Sequence, residues 1–150
     1  MLAKVVVALL AVAVGCGLAV QSVVNAGLAR GMASGVVAAT VSFWVGTLAL
    51  TTISVAGGGL PAALASGRSL GWAWWIVGGL LGACFVTSMT LLVPRLGIAS
   101  TTAFVIAGQL TAAAVLDHFG LLGLDIQPLT LARLAGIGLL IAGAVLVRLY

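Results

Sequence analysis

Five long apolar stretches dominate the sequence. Each is close to the roughly 20 residues that an α-helix needs to cross the hydrocarbon core of a bilayer. They cover residues 5–25, 36–55, 72–93, 98–117 and 129–149. The strict alternation of apolar and polar residues that is typical of a transmembrane β-strand is absent from them. The sequence therefore predicts an all-α, polytopic membrane protein in which residues 1–150 form a single domain of five transmembrane helices.

The composition excludes the main classes of soluble protein. Only 5% of the 150 residues are charged and 63% are hydrophobic, whereas about a quarter of a soluble domain is charged. So few charges cannot cover a surface that faces water, which excludes a soluble enzyme and a disordered chain. The net charge of +4 comes from cations that are scattered singly. Because a nucleic-acid binder needs a basic patch, we predict the lipid bilayer, and no nucleic acid, as a partner.

Glycine, proline and polar residues separate the apolar stretches. These breaks cover residues 27–35, 57–71, 94–97 and 118–128, and such composition favours turns and loops. The first stretch could be mistaken for a signal peptide, since residues 13–16 loosely resemble a lipoprotein cleavage site. Its apolar run continues past Cys16 to Val24. We therefore interpret it as a membrane span.

The cations are divided evenly between the two sides of the membrane. Five spans place the termini on opposite sides, and an excess of Lys and Arg normally marks the cytoplasmic side. Either unequal weighting of the loops still selects one orientation, or copies insert both ways and pair antiparallel. We favour the second interpretation, because such a pair has the inverted symmetry on which many transporters are built. The cations on the N-terminal side are Lys4, Arg68 and Arg133, and those on the other side are Arg30, Arg95 and Arg148.

Polar side chains recur on single faces of the predicted spans. A polar group in hydrocarbon needs a partner or a wet cavity, so each is a candidate functional residue. Helical spacing aligns Gln21 with Asn25 on the first span, and it aligns Trp44 with three threonines, at positions 40, 47 and 51, on the second. The predicted substrate-binding residues are Gln21, Asn25, Trp44, Thr87, Ser88, Thr102 and Gln109.

Each candidate also has a structural interpretation. Hydroxyls in a span often bond the carbonyl four residues earlier, and Gln21 or Asn25 could equally link two helices. Gln109 lies near mid-span, where an amide is most costly, and is predicted to line a cavity. Trp44 lies too deep for the interfacial aromatic belt, so it packs in the core or stacks on a substrate. The predicted belt residues are Trp72, Trp74 and Trp75.

Asp117 and His118 form an ionisable pair at the end of the fourth span. One interpretation is gating or proton coupling at the edge of a cavity. The other is a local hydrogen-bonded cap that pairs with Arg133 or Lys4. The residues predicted to gate or couple transport are therefore Asp117 and His118.

No metal site, cofactor or catalytic activity is predicted. Cys16 and Cys84 lie near the middle of different spans and are interpreted as small packing residues. The single histidine has no further histidine to complete a zinc site. The chain also lacks the HExxH motif of membrane metalloproteases, and its acids lie near helix ends.

The spacing of several short motifs resembles the YdcZ family, a half-size branch of the drug/metabolite transporter superfamily. The motifs are Gly78–Gly82, Pro94–Gly97, Gly108-Gln109, Asp117–Gly120, the pair Gln21 and Asn25, and Ser42-Phe43 followed by Gly46-Thr47. The resemblance implies a multi-pass protein of the bacterial inner (plasma) membrane that works as an antiparallel homodimer, or as a heterodimer with a paralogue. It also implies alternating access around a central polar cavity. In the superfamily the first, third and fourth helices line that cavity, which implies Gln21, Asn25, Thr87, Ser88 and Gln109 there.

The sequence departs from the related four-helix multidrug exporters in its acidic residues. Those exporters carry a carboxylate deep in the first helix, whereas the acids here are Asp117 and Asp125. A buried permanent cation would lack a counter-charge at mid-membrane. We therefore predict a neutral or zwitterionic small-molecule substrate, moved either by facilitation or by coupling through Asp117. The alternative function is a membrane scaffold or auxiliary subunit that transports nothing.

Overall fold

The computed structural model describes residues 2–150, apart from the side chain of Ala3, and is built of α-helices. Five of its helices are long and apolar enough to cross a membrane. The predicted all-α class and the five spans are therefore confirmed, and the described residues contain no β-strand. The helices are α1 (Leu2–Met32), α2 (Gly35–Ala56), α3 (Leu60–Gly67), α4 (Trp72–Leu96), α5 (Ile98–Phe119) and α6 (Leu131–Leu149).

The first helix is longer than predicted. It continues to Met32 instead of ending at Asn25, and the break before α2 shrinks to Ala33 and Ser34. A glycine inside a helix costs only about 1 kcal/mol, so the glycines of this segment do not end α1. The chain turns instead at Ala33, where φ is +53°. Ser34 then caps α2, because its hydroxyl accepts a hydrogen bond from the Val37 amide at 3.3 Å.

The break between the third and fourth spans is also shorter than predicted. Helix α4 runs through Pro94, and the interruption is confined to Gly97. Pro94 lies in the last turn and cannot donate a hydrogen bond to the Thr90 carbonyl, yet the helix continues for two more residues, to Leu96. Gly97 has φ +79° and ψ +156°, a backbone region that is essentially restricted to glycine. One glycine is therefore enough to end α4 and begin α5.

The 57–71 segment, which is predicted to be a loop, contains a short helix. Helix α3 begins with a proline in its first turn, where the fixed φ and missing N–H are tolerated. Its last residue, Gly67, packs directly on the ring of Trp75, because a Cβ at Gly67 would lie 2.6 Å from the Trp75 Cζ2 atom. Trp75 therefore holds α3 against the start of α4 as well as standing in the predicted belt.

The described residues fall into two compact units, the first ending at Val93 and the second covering Pro94–Tyr150. In the first unit α1 packs against α2. Its buried side chains lie at one end, where α1 and α4 finish and α2 begins. The remaining lengths of these helices expose apolar residues, as expected of surfaces in contact with lipid. The buried residues of this unit are Ser22, Asn25, Ala26, Ala38, Ala39, Met89, Thr90 and Val93.

In the second unit α5 and α6 form an antiparallel pair. Ala107 and Ala114 of α5 and Ala144 of α6 are buried, and such small side chains let two helices approach closely. The Ser100 hydroxyl lies 3.5 Å from the carbonyl oxygen of Val147, which links the start of α5 to the end of α6. The fifth span begins at Leu131, after the N-cap Thr130, instead of at residue 129.

Candidate functional site

A hydrogen bond between polar side chains joins α1 to α2 inside the first unit. The Ser42 hydroxyl donates to the amide oxygen of Asn25, and Asn25 is only 3% exposed. Ser22, one turn earlier on α1, satisfies its hydroxyl on the carbonyl oxygen of Leu18 at 2.8 Å. Asn25 thus makes an interhelical hydrogen bond, as the structural interpretation of this residue predicts. Ser42 was not among the predicted site residues.

A groove of about 360 Å³ runs between α2 and α4 in the first unit. Two predicted site residues, Trp44 and Thr87, line it. The hydroxyl of Thr40 bonds the Val36 carbonyl at 2.9 Å, which fixes its orientation in the wall. The Trp44 side chain is 72% exposed, so it is not a core packing residue in this chain. The full lining is Val36, Ala39, Thr40, Phe43, Trp44, Thr47, Ala83 and Thr87.

A second groove, of about 310 Å³, adjoins the first. It contains the predicted residue Gln21 together with Ser42 of the interhelical bond. The two grooves share Phe43 and Thr47, so one face of α2 forms a wall common to both. Its lining is Gln21, Ser42, Phe43, Gly46, Thr47, Leu50 and Val86.

The walls of these two grooves are uncharged. Every lining residue is apolar, aromatic, or carries a hydroxyl or an amide. We call the lining residues of both grooves, most of which lie on α2, the α2 polar face. Such walls offer hydrogen bonds and an aromatic ring to a guest but no counter-charge. Thr47 and Phe43, which line both grooves, were missing from the predicted site. The helical spacing of Thr47 with Trp44 indicates that Thr47 shares the face of Trp44.

The other predicted substrate residues are not in these grooves. Ser88 is exposed on α4, beyond the lining. Thr102 and Gln109 lie on α5 in the second unit, where Gln109 is exposed. The hydroxyl oxygen of Thr102 is buried and finds no hydrogen-bond partner among residues 2–150. A single cavity that unites all seven residues stays a prediction.

Asp117 and His118 take part in a hydrogen-bonded network that closes the α5–α6 connection. The Arg133 guanidinium lies 3.4 Å from an Asp117 carboxylate oxygen and donates to the Gln127 side-chain oxygen at 2.7 Å. The Leu129 amide donates to His118 Nδ1 at 3.2 Å. This network is the local hydrogen-bonded cap of the structural interpretation, with Arg133 as the partner of Asp117. A gating or coupling role for the pair stays a prediction.

The backbone completes this connection. Gly120 ends α5 in the left-handed conformation with φ +58°, and a short 3₁₀ helix, Leu121–Gly123, follows. The Gln127 amide then returns to donate to the Asp117 carbonyl at 2.8 Å. Left-handed glycine at this position is a common way to finish a helix. The result is a connection that is fixed by its own hydrogen bonds.

The fold and the uncharged grooves define a small, multi-pass membrane protein with polar residues in its spans. Within that class, the chain belongs to the YdcZ family. The profile of that family, described as "Putative inner membrane exporter, YdcZ", matches residues 6–146. The resemblance found in the sequence is thus confirmed, as is a multi-pass location in the inner membrane. Comparison with curated proteins and with solved structures found no match.

Proposed function

We propose that this protein is a secondary transporter or facilitator that exports an uncharged or zwitterionic small molecule. The observation that carries the proposal is the α2 polar face, whose hydroxyls, amide and indole ring lie in spans of a membrane exporter family. Polar residues in hydrocarbon are costly and persist where they meet a partner or a cavity. A scaffold needs far fewer of them to hold its helices together.

The chemistry of the grooves supports the proposed substrate class. Thr47 and Thr87 can donate and accept hydrogen bonds, and Gln21 offers both kinds of group. Trp44 presents a broad, exposed ring on which a planar or apolar part of the substrate can stack. Because the walls carry no acid, a cation would lose its hydration without gaining a counter-charge.

We further propose that two copies insert in opposite orientations and enclose the substrate between them. The support is the equal division of six cations between the two ends of five spans. In such a pair each copy supplies one wall, and the exchange of their conformations gives alternating access. Whether the partner is an identical copy or a paralogue does not change the role of the α2 polar face.

Transport by reconstituted protein tests the proposal. A flux screen of neutral and zwitterionic metabolites in proteoliposomes should find a solute that the wild type moves. Thr47→Val removes one hydroxyl from both grooves without changing shape, so the transport rate should fall about two- to twelvefold for a hydrogen bond worth about 0.5–1.5 kcal/mol.

The matched control is Thr52→Val on the same helix. Its hydroxyl bonds the Leu48 carbonyl at 2.8 Å and lies outside the grooves, so transport should be unchanged. Equal losses in the two variants would remove Thr47 from the site. A wild type that moves no solute in the screen would favour the scaffold.

A further inference from the structure

One face of the second unit carries a long groove between α5 and α6. It consists of two adjoining segments of about 290 and 440 Å³. The segments share Gly136 and Leu140, so they form one continuous channel along the helix pair. We call it the α5/α6 groove. Its lining is Ala103, Ile106, Leu110, Ala113, Ala114, Asp117, Arg133, Gly136, Ile137, Leu139, Leu140, Gly143, Ala144 and Val147.

The α5/α6 groove is polar at one end only. Asp117 and Arg133 stand at that end, near the last turn of α5 and in the first turn of α6. All other lining residues are apolar. From Arg133 to Val147 the helix advances about 21 Å at 1.5 Å per residue. This length exceeds the roughly 15 Å that one leaflet contributes to the hydrocarbon core, so a whole acyl chain can lie along it.

The two charges at the polar end are opposite and equal. Their side chains remain accessible, at 39% for Arg133 and 32% for Asp117. Gln127 holds the guanidinium through its side-chain oxygen at 2.7 Å and its carbonyl at 3.4 Å. A fixed cation beside an anion matches a headgroup that carries a phosphate and an ammonium. Arginine is well suited to the phosphate, since its planar fork binds oxygen pairs.

We propose that the α5/α6 groove binds a phospholipid with a phosphoethanolamine headgroup. One acyl chain lies in the apolar part, the phosphate meets Arg133 and the ammonium meets Asp117. A helix from another copy is the competing occupant. The lipid is favoured because the polar lining is confined to the membrane boundary and carries no net charge. This site is separate from the α2 polar face, and the proposal does not depend on transport.

Lipid binding to delipidated protein in detergent tests the proposal. Native mass spectrometry should show retention of phosphatidylethanolamine over phosphatidylcholine and phosphatidylglycerol at equal concentration. Phosphatidylcholine keeps the phosphate but has no N–H to donate to Asp117, and phosphatidylglycerol has no cation. Similar retention of all three lipids would overturn the assignment of the headgroup.

Two glycines of α6 supply a matched pair of variants. A Cβ at Gly136 or at Gly138 would meet no atom within 4 Å, so either position has room for the first carbon of a side chain. Only Gly136 lines the groove. Gly136→Leu should fill it and weaken binding of phosphatidylethanolamine at least tenfold, whereas Gly138→Leu should leave binding unchanged.

The charged end is tested separately by Arg133→Gln. This variant should still bind lipid but lose the preference among headgroups. Since Arg133 also holds the α5–α6 connection, the headgroup preference of the wild-type protein is the readout if Arg133→Gln does not fold. Equal binding by Gly136→Leu and wild type overturns the proposal. So does a result in which Gly136→Leu shifts only the monomer–dimer equilibrium, because a second copy would then be the occupant.

Discussion

Replacing Gly120 with alanine tests how strongly the α5–α6 connection depends on one backbone conformation. Gly120 has φ +58°, and an L-residue in this region costs about 1–2 kcal/mol. A Cβ there would also lie 2.7 Å from Ile126 Cγ1 and 3.1 Å from the Leu124 carbonyl oxygen. The Ile126 side chain can rotate, but the Leu124 carbonyl belongs to the backbone and moves only with the connection.

The displaced connection would strain the bonds that return to α5. The Gln127 amide and the Leu129 amide both bond the end of that helix. Crowding of this kind typically costs about 1–3 kcal/mol. We therefore expect Gly120→Ala to lower the free energy of unfolding by about 2–5 kcal/mol, measured by SDS titration in mixed micelles.

Gly123→Ala separates the two contributions. Gly123 has φ +82°, and a Cβ there meets nothing within 4 Å. This variant should lose only the conformational part, about 1–2 kcal/mol. If both variants lose the same amount, the close contact at Gly120 has no energetic weight and the reasoning is wrong.

Three further predictions concern the bond between α1 and α2, the junction between α4 and α5, and the orientation in the membrane. In a double-mutant cycle of Asn25→Ala and Ser42→Ala, thermal or SDS unfolding should show a coupling of about 0.6–1.7 kcal/mol; additive losses would deny their hydrogen bond. Gly97→Ala should destabilise by about 1–3 kcal/mol because its φ and ψ suit only glycine, whereas Gly108→Ala, in the interior of α5 with open space around it, should be neutral or stabilising in the same assay. Adding two lysines to the 57–71 loop should drive all copies into one orientation, read by accessibility of terminal tags; a wild type that already shows a single orientation contradicts dual topology.

The membrane spans could be predicted because hydropathy alone determines them. Each span is apolar over about the length that crosses a bilayer. The ends of the spans are predicted less accurately, because a glycine or a proline does not by itself end a helix. Helix α1 passes through Gly27 and Gly31 of the predicted break before it turns at Ala33, and α4 passes through Pro94. What ends these helices is a positive φ at Ala33 and at Gly97, which composition does not specify.

The candidate site was predicted as far as helical spacing reaches. Spacing places Trp44 and Thr47 on one face of α2, and the structure finds that face lining two grooves. Helical spacing does not reveal which residues of the neighbouring helices lie opposite this face of α2. Gln21 and Thr87 do so, but Ser88, adjacent in sequence to Thr87, lies outside the grooves. Helix α3 was missed because an eight-residue segment does not have the length of a membrane span.

The exposed amides of the spans bear on how many copies are needed. Gln21 and Gln109 are each exposed in the single chain although both lie well inside apolar helices. Hydrocarbon offers such side chains no hydrogen-bond partner, and a polar residue that faces the bundle interior or a water-filled cavity avoids that cost. A copy that stood alone in the bilayer would leave both amides against lipid. We therefore expect a second chain to cover them, as in the antiparallel pair that we propose above.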